Sequence, residues 1–164
     1  CTRLDRSGNV VLTYPKATYF VQRSAWDAAI QPNERAAASH HPEDFVPIHE
    51  RGQLTLLDGD TEVCPGIWAK VTNGHTPGHQ VVLFNNGGER VIFLGDLIPT
   101  PFHIKLPYIA AFDHSPEDTL ALKRDLLDRA EKEGWLLVFS HGYQERAGYV
   151  ERRNGKRLLR AVDL

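Results

Sequence analysis

Short apolar runs rich in β-branched and aromatic residues recur along this chain between polar turn signals, so strands dominate the expectation, with one long helical exception. Residues 10–15 and 17–22 are rich in β-branched and aromatic side chains and predict two strands. Ser24 would cap a short helix over 25–30, and the Pro-, His-, Glu- and Ala-rich stretch 31–50 predicts irregular chain or short helical turns. Residues 53–57 and 61–63 flank Asp58-Gly59, a hairpin signal. Strands are expected again over 66–71, 80–84 and 90–94, the last two joined through Asn85-Asn86-Gly87-Gly88. Residues 135–139 predict a buried strand, and 149–153 with 157–162 a hairpin around Asn154-Gly155. The opening Cys1-Thr2-Arg3-Leu4-Asp5-Arg6-Ser7-Gly8-Asn9 is polar and turn-like and reads as the inside of a loop.

The helical exception begins at Ser115-Pro116-Glu117-Asp118. The serine can accept from free backbone N–H groups, proline suits the first helical position, and the two acids sit at the positive end of the dipole. The helix should run to about Lys132 and stop at Gly134, with Leu120, Leu122, Leu126, Leu127 and Ala130 as one apolar stripe.

A length of 164 residues suits one domain, 1–164, with no internal boundary. Apolar residues make up 41% and charged residues 24%, ordinary for a soluble globular chain. A net charge of -2 gives no reason to expect nucleic acid or a membrane surface, and no apolar run is long enough to span a bilayer. The basic stretch Arg152-Arg153 to Lys156-Arg157 could pass for a nucleic-acid patch, but it reads better as a charged hairpin tip that discourages edge pairing. Cys1 and Cys64 make no disulfide framework, and Cys64 reads as a buried thiol. The sequence holds no Met and opens on Cys1, so it is read as a processed form, a fragment, or the ordered part of a longer protein.

Three strand ends carry the chemistry. Asn73-Gly74-His75-Thr76-Pro77-Gly78-His79 follows one strand, Leu94-Gly95-Asp96 ends another, and Phe139-Ser140-His141-Gly142 ends a third. Imidazole and carboxylate suit zinc, iron or manganese, and strand-end loops can hold such ligands firmly while leaving a position open for water. His79 reads as a residue that orients a ligating group by hydrogen bonding. His103 and Tyr143 are candidates for the substrate pocket, and His40, His41, His49 and His114 read as surface or loop residues.

The order and context of these segments resemble the metallo-β-lactamase superfamily, over residues from about 10 to the C-terminus. The resemblance implies an α+β fold, an αββα sandwich of metallo-β-lactamase type, of which this chain is the C-terminal part. It assigns His75 to a first metal, Asp96 as the carboxylate bridging two metals, and His141 to the second. It implies two divalent ions, zinc first with iron or manganese as alternatives. The family's H-x-H-x-D-H motif is absent from the sequence. The missing N-terminal segment of the same protein is therefore the expected partner, and the Asp that orients the attacking hydroxide is expected there. Gly95-Asp96-Leu97-Ile98-Pro99-Thr100 and Phe102-His103 are similar to the lactonase and organophosphate-hydrolase branch. The activity implied is attack by metal-bound hydroxide on a lactone, ester or organophosphate bond of a small-molecule substrate. A hydroxyacylglutathione-hydrolase-like thioesterase and a metal-free interaction module of the same fold stand as alternatives. A cytoplasmic location and a homodimer complete the expectations.

Overall fold

The computed structural model describes residues 1–163, which fall into two compact units, 1–58 and 59–163. In the first unit, β1 (Thr2–Leu4) pairs antiparallel with β2 (Val10–Leu12). The opening segment is therefore a strand and not loop interior. Asp5 closes the turn between the two by accepting from the backbone N–H groups of Ser7 and Asn9. The local polarity was misleading because the strand is an exposed edge in which pairing, and not burial, selects the backbone.

β3 (Tyr19–Gln22) runs directly into α1 (Arg23–Ile30). The N-cap is Gln22 and makes no side-chain capping bond, so Ser24 lies inside the helix and is not its cap. The Arg23 guanidinium instead forks onto both carboxylate oxygens of Asp58, at 3.0–3.2 Å. Short 3-10 turns at Ala37–Ser39 and Pro42–Asp44 precede α2 (Val46–Glu50), as the composition of that stretch predicts. Trp26 stacks on the His49 ring at 4.8 Å and meets Phe45 edge-on. β4 (Leu54–Leu57) pairs in parallel with β3, not with the strand after it. Asp58-Gly59 is therefore not a hairpin turn. Its turn chemistry is real, with Gly59 at φ 100°, but a hairpin needs both flanking strands in one ladder.

The second unit is built on one seven-stranded sheet in the order β11-β10-β9-β8-β7-β6-β5. Its strands are β5 (Thr61–Cys64), β6 (Ile67–Val71), β7 (Gln80–Asn85), β8 (Arg90–Phe93), β9 (Leu136–Val138), β10 (Ala147–Arg153) and β11 (Lys156–Val162). Every neighbour pair is antiparallel except β8 and β9, which are parallel. A parallel pair needs a crossover, and α3 (Pro116–Glu133) supplies it. Ser115 accepts from the Asp118 N–H, and Gly134 ends the helix at φ 68°, a left-handed conformation that glycine adopts without strain. β5 is one of the two edge strands and its register shifts between Glu62 and Cys64; Cys64 is exposed and not buried.

The core lies between α3 and one face of this sheet, where Leu126, Leu127 and Ala130 meet Val81, Leu83, Ile92, Leu137 and Val150. The helix also buries two polar residues, Thr119 and Lys123, one turn apart on its inner side. Alternation sends Phe84, Phe93 and Leu158 to the opposite face, where they stay substantially exposed. β6 and β8 both run antiparallel to β7, and β9 runs parallel to β8, so the chain leaves all three strands at the same rim. No helix among the described residues is long and apolar enough to cross a membrane.

Candidate metal centre

The loop after β6 is shaped by its own polar groups. Asn73 accepts from the Gly78 N–H at 2.9 Å, and the Thr72 N–H donates to the His79 carbonyl at 2.7 Å. Gly74 lies against the first turn of α3, where a Cβ would fall 2.2 Å from Thr119 Oγ1 and 2.5 Å from its backbone nitrogen. The Ser115 and His114 N–H groups donate to the carbonyls of Gly74 and His75, tying loop to helix start. Only a residue without a side chain permits this approach, and the approach aims the His75 ring at the rim.

Asp96 sits at the centre of the convergence. One of its oxygens lies 3.0 Å from His141 Nε2 and accepts from the Ser140 hydroxyl at 3.0 Å; the other lies 3.4 Å from His75 Nε2. The hydrogen bond from His75 holds the Asp96 carboxyl well below the usual carboxylate range, against burial and with help from Ser140. The same contact raises the His75 imidazole above its ordinary value, burial opposing and Asp113 adding to it.

Two further side chains fix this geometry. His79 Nε2 accepts the Asp96 backbone N–H at 2.9 Å, so that nitrogen carries no proton. Its Nδ1 must then be the protonated one, and it donates to Thr72 Oγ1 at 2.6 Å. Burial pushes the His79 ring down, with the nearby His75 charge contributing, which agrees with a neutral ring locked in one tautomer. A Cβ on Gly95, which sits at φ 51°, would fall 2.6 Å from His79 Nε2, so glycine lets the two approach.

The second is Asp113, which the sequence reading missed. It is only 3% exposed, accepts from His75 Nδ1 at 2.9 Å and takes the Thr119 hydroxyl at 2.6 Å. With a carboxylate on Nδ1–H, a neutral His75 keeps its Nε2 lone pair for a metal ion beside Asp96. The only local signal was an acid just ahead of the Ser115 cap, which resembles an ordinary turn residue.

Of the six candidates from the sequence, the structure brings His75, Asp96 and His141 together, with His79 behind them. His103 instead bonds Thr100 Oγ1 through Nδ1 at 2.8 Å, within the turn Pro101–Ile104. The Tyr143 side chain is 90% exposed. Among the described residues, no group of three or more His, Cys, Asp or Glu side chains is arranged to hold a metal ion. The reason is geometric. His75 and His141 face opposite oxygens of one carboxylate, so each position beside Asp96 has two donors from this chain. Those donors fit a metal in type and spacing. Two ligands each roughly 2.1 Å from a shared ion stand about 3.0 Å apart at a right angle and about 3.4 Å apart at the tetrahedral angle.

The sequence pattern of the metallo-beta-lactamase superfamily matches residues 8–141, well over half of the chain. The chain belongs to that superfamily. An N-acyl homoserine lactonase from Bacillus thuringiensis is 27% identical over 130 residues, covering 76% of this chain and 47% of the lactonase. The chain thus spans about half the length of the curated relatives it matches. A probable metal-dependent hydrolase from Staphylococcus aureus superposes with a TM-score of 0.80 at 22% identity, over 98% of this chain and 58% of that one. A dizinc quorum-quenching lactonase, in complex with a product, N-hexanoyl-L-homoserine, gives 0.72 at 19% identity, over 98% of this chain and 59% of that one. The mixed α/β metallo-beta-lactamase-like fold is therefore present, over about half of the solved chains.

Proposed function

We propose that the protein to which this chain belongs is a metal-dependent hydrolase acting on a lactone, ester or organophosphate bond. The observation that carries the reading is the placement of two imidazoles on opposite oxygens of one carboxylate, at the rim where β6, β8 and β9 all end. Lactones come first among the substrates in this reading, which the 27% identity to an N-acyl homoserine lactonase supports.

His75 and Asp96 would hold one divalent ion, and Asp96 and His141 a second, with zinc the first choice. Bound there, such ions supply Lewis-acid polarisation of the scissile carbonyl or phosphoryl oxygen and lower the pKa of water. The chain's own residues do the positioning. Asp96 stays ionised at any working pH, Asp113 keeps the His75 proton on Nδ1, and His79 anchors the Asp96 backbone. Two donors per ion are too few, so the remaining ligands come from another segment of the same protein. The open sheet face with Phe84, Phe93 and Leu158 suits a second sheet layer carrying that segment.

The test is metal content by elemental analysis, with lactone and thioester hydrolysis, on the protein at its natural length and on His75→Ala and Asp96→Ala. Loss of metal and of lactone hydrolysis in both is expected. Unchanged metal content in both would overturn the ligand assignment, and a metal-free parent protein would favour an interaction module of the same fold.

A further inference from the structure

A second concave site lies elsewhere on the seven-stranded unit. A cavity of about 680 Å³ opens between the residues following the turn Pro101–Ile104, the outer flank of α3 and the tip of the β10–β11 hairpin. It shares no residue with His75, Asp96 and His141, and its volume is in the range of small-molecule sites.

Charge is concentrated there. Lys105, Arg124, Arg152, Lys156 and Arg157 line the cavity with Asp128, and Glu131 stands behind two of the guanidiniums, in a chain whose net charge is -2. Arg152 forks onto Glu131 at 2.8 Å, and Arg157 is held by Asp128 and by Glu131. These pairs fix two guanidiniums in place. Among the described residues, no ion pair engages Arg124 or Lys156, which are both exposed. Lys105 lies 5.0 Å from the Tyr108 ring centre. Ile104 and Leu106 give the cavity an apolar lining.

One wall is held from inside. Lys123 is fully buried and donates to the carbonyls of Lys105, Leu106 and Tyr108 at 2.7, 3.3 and 2.6 Å. These bonds use every N–H of the ammonium and pin the backbone that carries Lys105 and Leu106. A wall fixed in this way leaves little ordering cost for a ligand.

We propose that this groove binds a small amphiphilic anion. Its phosphate or carboxylate head sits among Arg124, Lys156 and the two anchored guanidiniums, and its apolar body rests on Ile104 and Leu106. Arg152 and Arg157 give their Nε and Nη2 edges to Glu131 and Asp128, so the head is met by Arg124 and Lys156, with the remaining N–H groups of the two anchored guanidiniums beside them. The concave, apolar lining favours a small molecule over a nucleic-acid backbone, which binds extended basic surfaces with interleaved aromatics.

The experiment is isothermal titration of the protein with octyl phosphate below its micelle concentration, beside inorganic phosphate, 1-octanol and a short DNA duplex. Octyl phosphate should bind best, and the affinity should fall roughly tenfold or more in the Arg124→Glu/Lys156→Glu double variant. It should fall several-fold as salt rises. Both substituted residues are exposed, and a thermal melt matching the parent confirms that the variant folds. His75→Ala should bind octyl phosphate as the parent does, so the groove is tested apart from the hydrolase reading. Unchanged affinity in the double variant, equal binding of 1-octanol, tighter binding of the duplex, or a loss in His75→Ala would each overturn the proposal.

Discussion

Replacing Asp113 is the most incisive test of how the rim is built. The carboxylate makes two contacts, to His75 Nδ1 at 2.9 Å and to the Thr119 hydroxyl at 2.6 Å, and almost none of it meets solvent. Asp113→Asn preserves shape. Its amide oxygen can accept from Nδ1–H while its amide nitrogen donates to Thr119 Oγ1, so what is lost is the charge assistance, about 1.5 kcal/mol. Asp113→Ala loses both bonds and leaves the Thr119 hydroxyl, itself 1% exposed, buried without a partner. The stability cost should be about 2–4 kcal/mol, read by urea unfolding. Metal affinity, measured by chelator competition on the natural-length protein, should drop roughly tenfold for Asn and up to about a hundredfold for Ala. Adding Thr119→Val to Asp113→Ala should recover part of the stability, since no hydroxyl is then stranded, but none of the metal affinity. An Ala variant with parental metal affinity would refute the reasoning, because it would mean that His75 needs no orientation from Asp113 or is not a ligand.

Two other outcomes follow from the same geometry. In the metal-free protein, the raised His75 contributes stability that is full below its ordinary pKa of 6.5 and is lost as pH rises through the higher folded value. The depressed Asp96 contributes stability that is full above 3.8 and is lost as pH falls through its lower folded value. Melting temperature should therefore decline as pH rises from about 6.5, and Asp96→Asn should flatten that decline; an equal slope in both proteins would discount the pair. Gly74→Ala should destabilise by about 2–4 kcal/mol, because the new methyl meets Thr119 backbone atoms at 2.5 and 2.7 Å that cannot swing away. A denaturation midpoint within error of the parent would show that the loop can lift from α3.

Much of the second unit was legible because its signals are local. Ser115, Pro116 and Gly134 bracket α3 as the capping rules require, and Asn85-Asn86-Gly87-Gly88 joins β7 to β8 as a turn signal should. The three rim residues were legible for a related reason: each lies within four residues of the end of an apolar strand. Features set by distant partners were not. The parallel pairing of β3 with β4 joins segments more than thirty residues apart, Tyr19 to Leu54, and no turn residue announces it. Cys64 is apolar enough to suggest burial, yet it is exposed on an edge strand whose register shifts beside it. Thr119 and Lys123 sit where an apolar stripe predicts hydrocarbon, and their value lies in loop atoms, Asp113 and the 105–108 carbonyls, that the helix sequence does not reveal. Asp113 was invisible for the converse reason, since its role exists only once His75 is brought against it.

The single parallel pair in the seven-stranded sheet also orders events in time. His75 and Asp96 are joined through the β6–β7 and β7–β8 hairpins, whose contacts are local and close quickly. His141 reaches Asp96 only after the crossover through α3 has closed and β9 has found its register beside β8. A chain caught before that step would carry one imidazole on the carboxylate and lack the other. Arrival of His141 at Asp96 thus marks the completion of the slow, long-range part of folding, and a probe of that contact would serve as a clock for it.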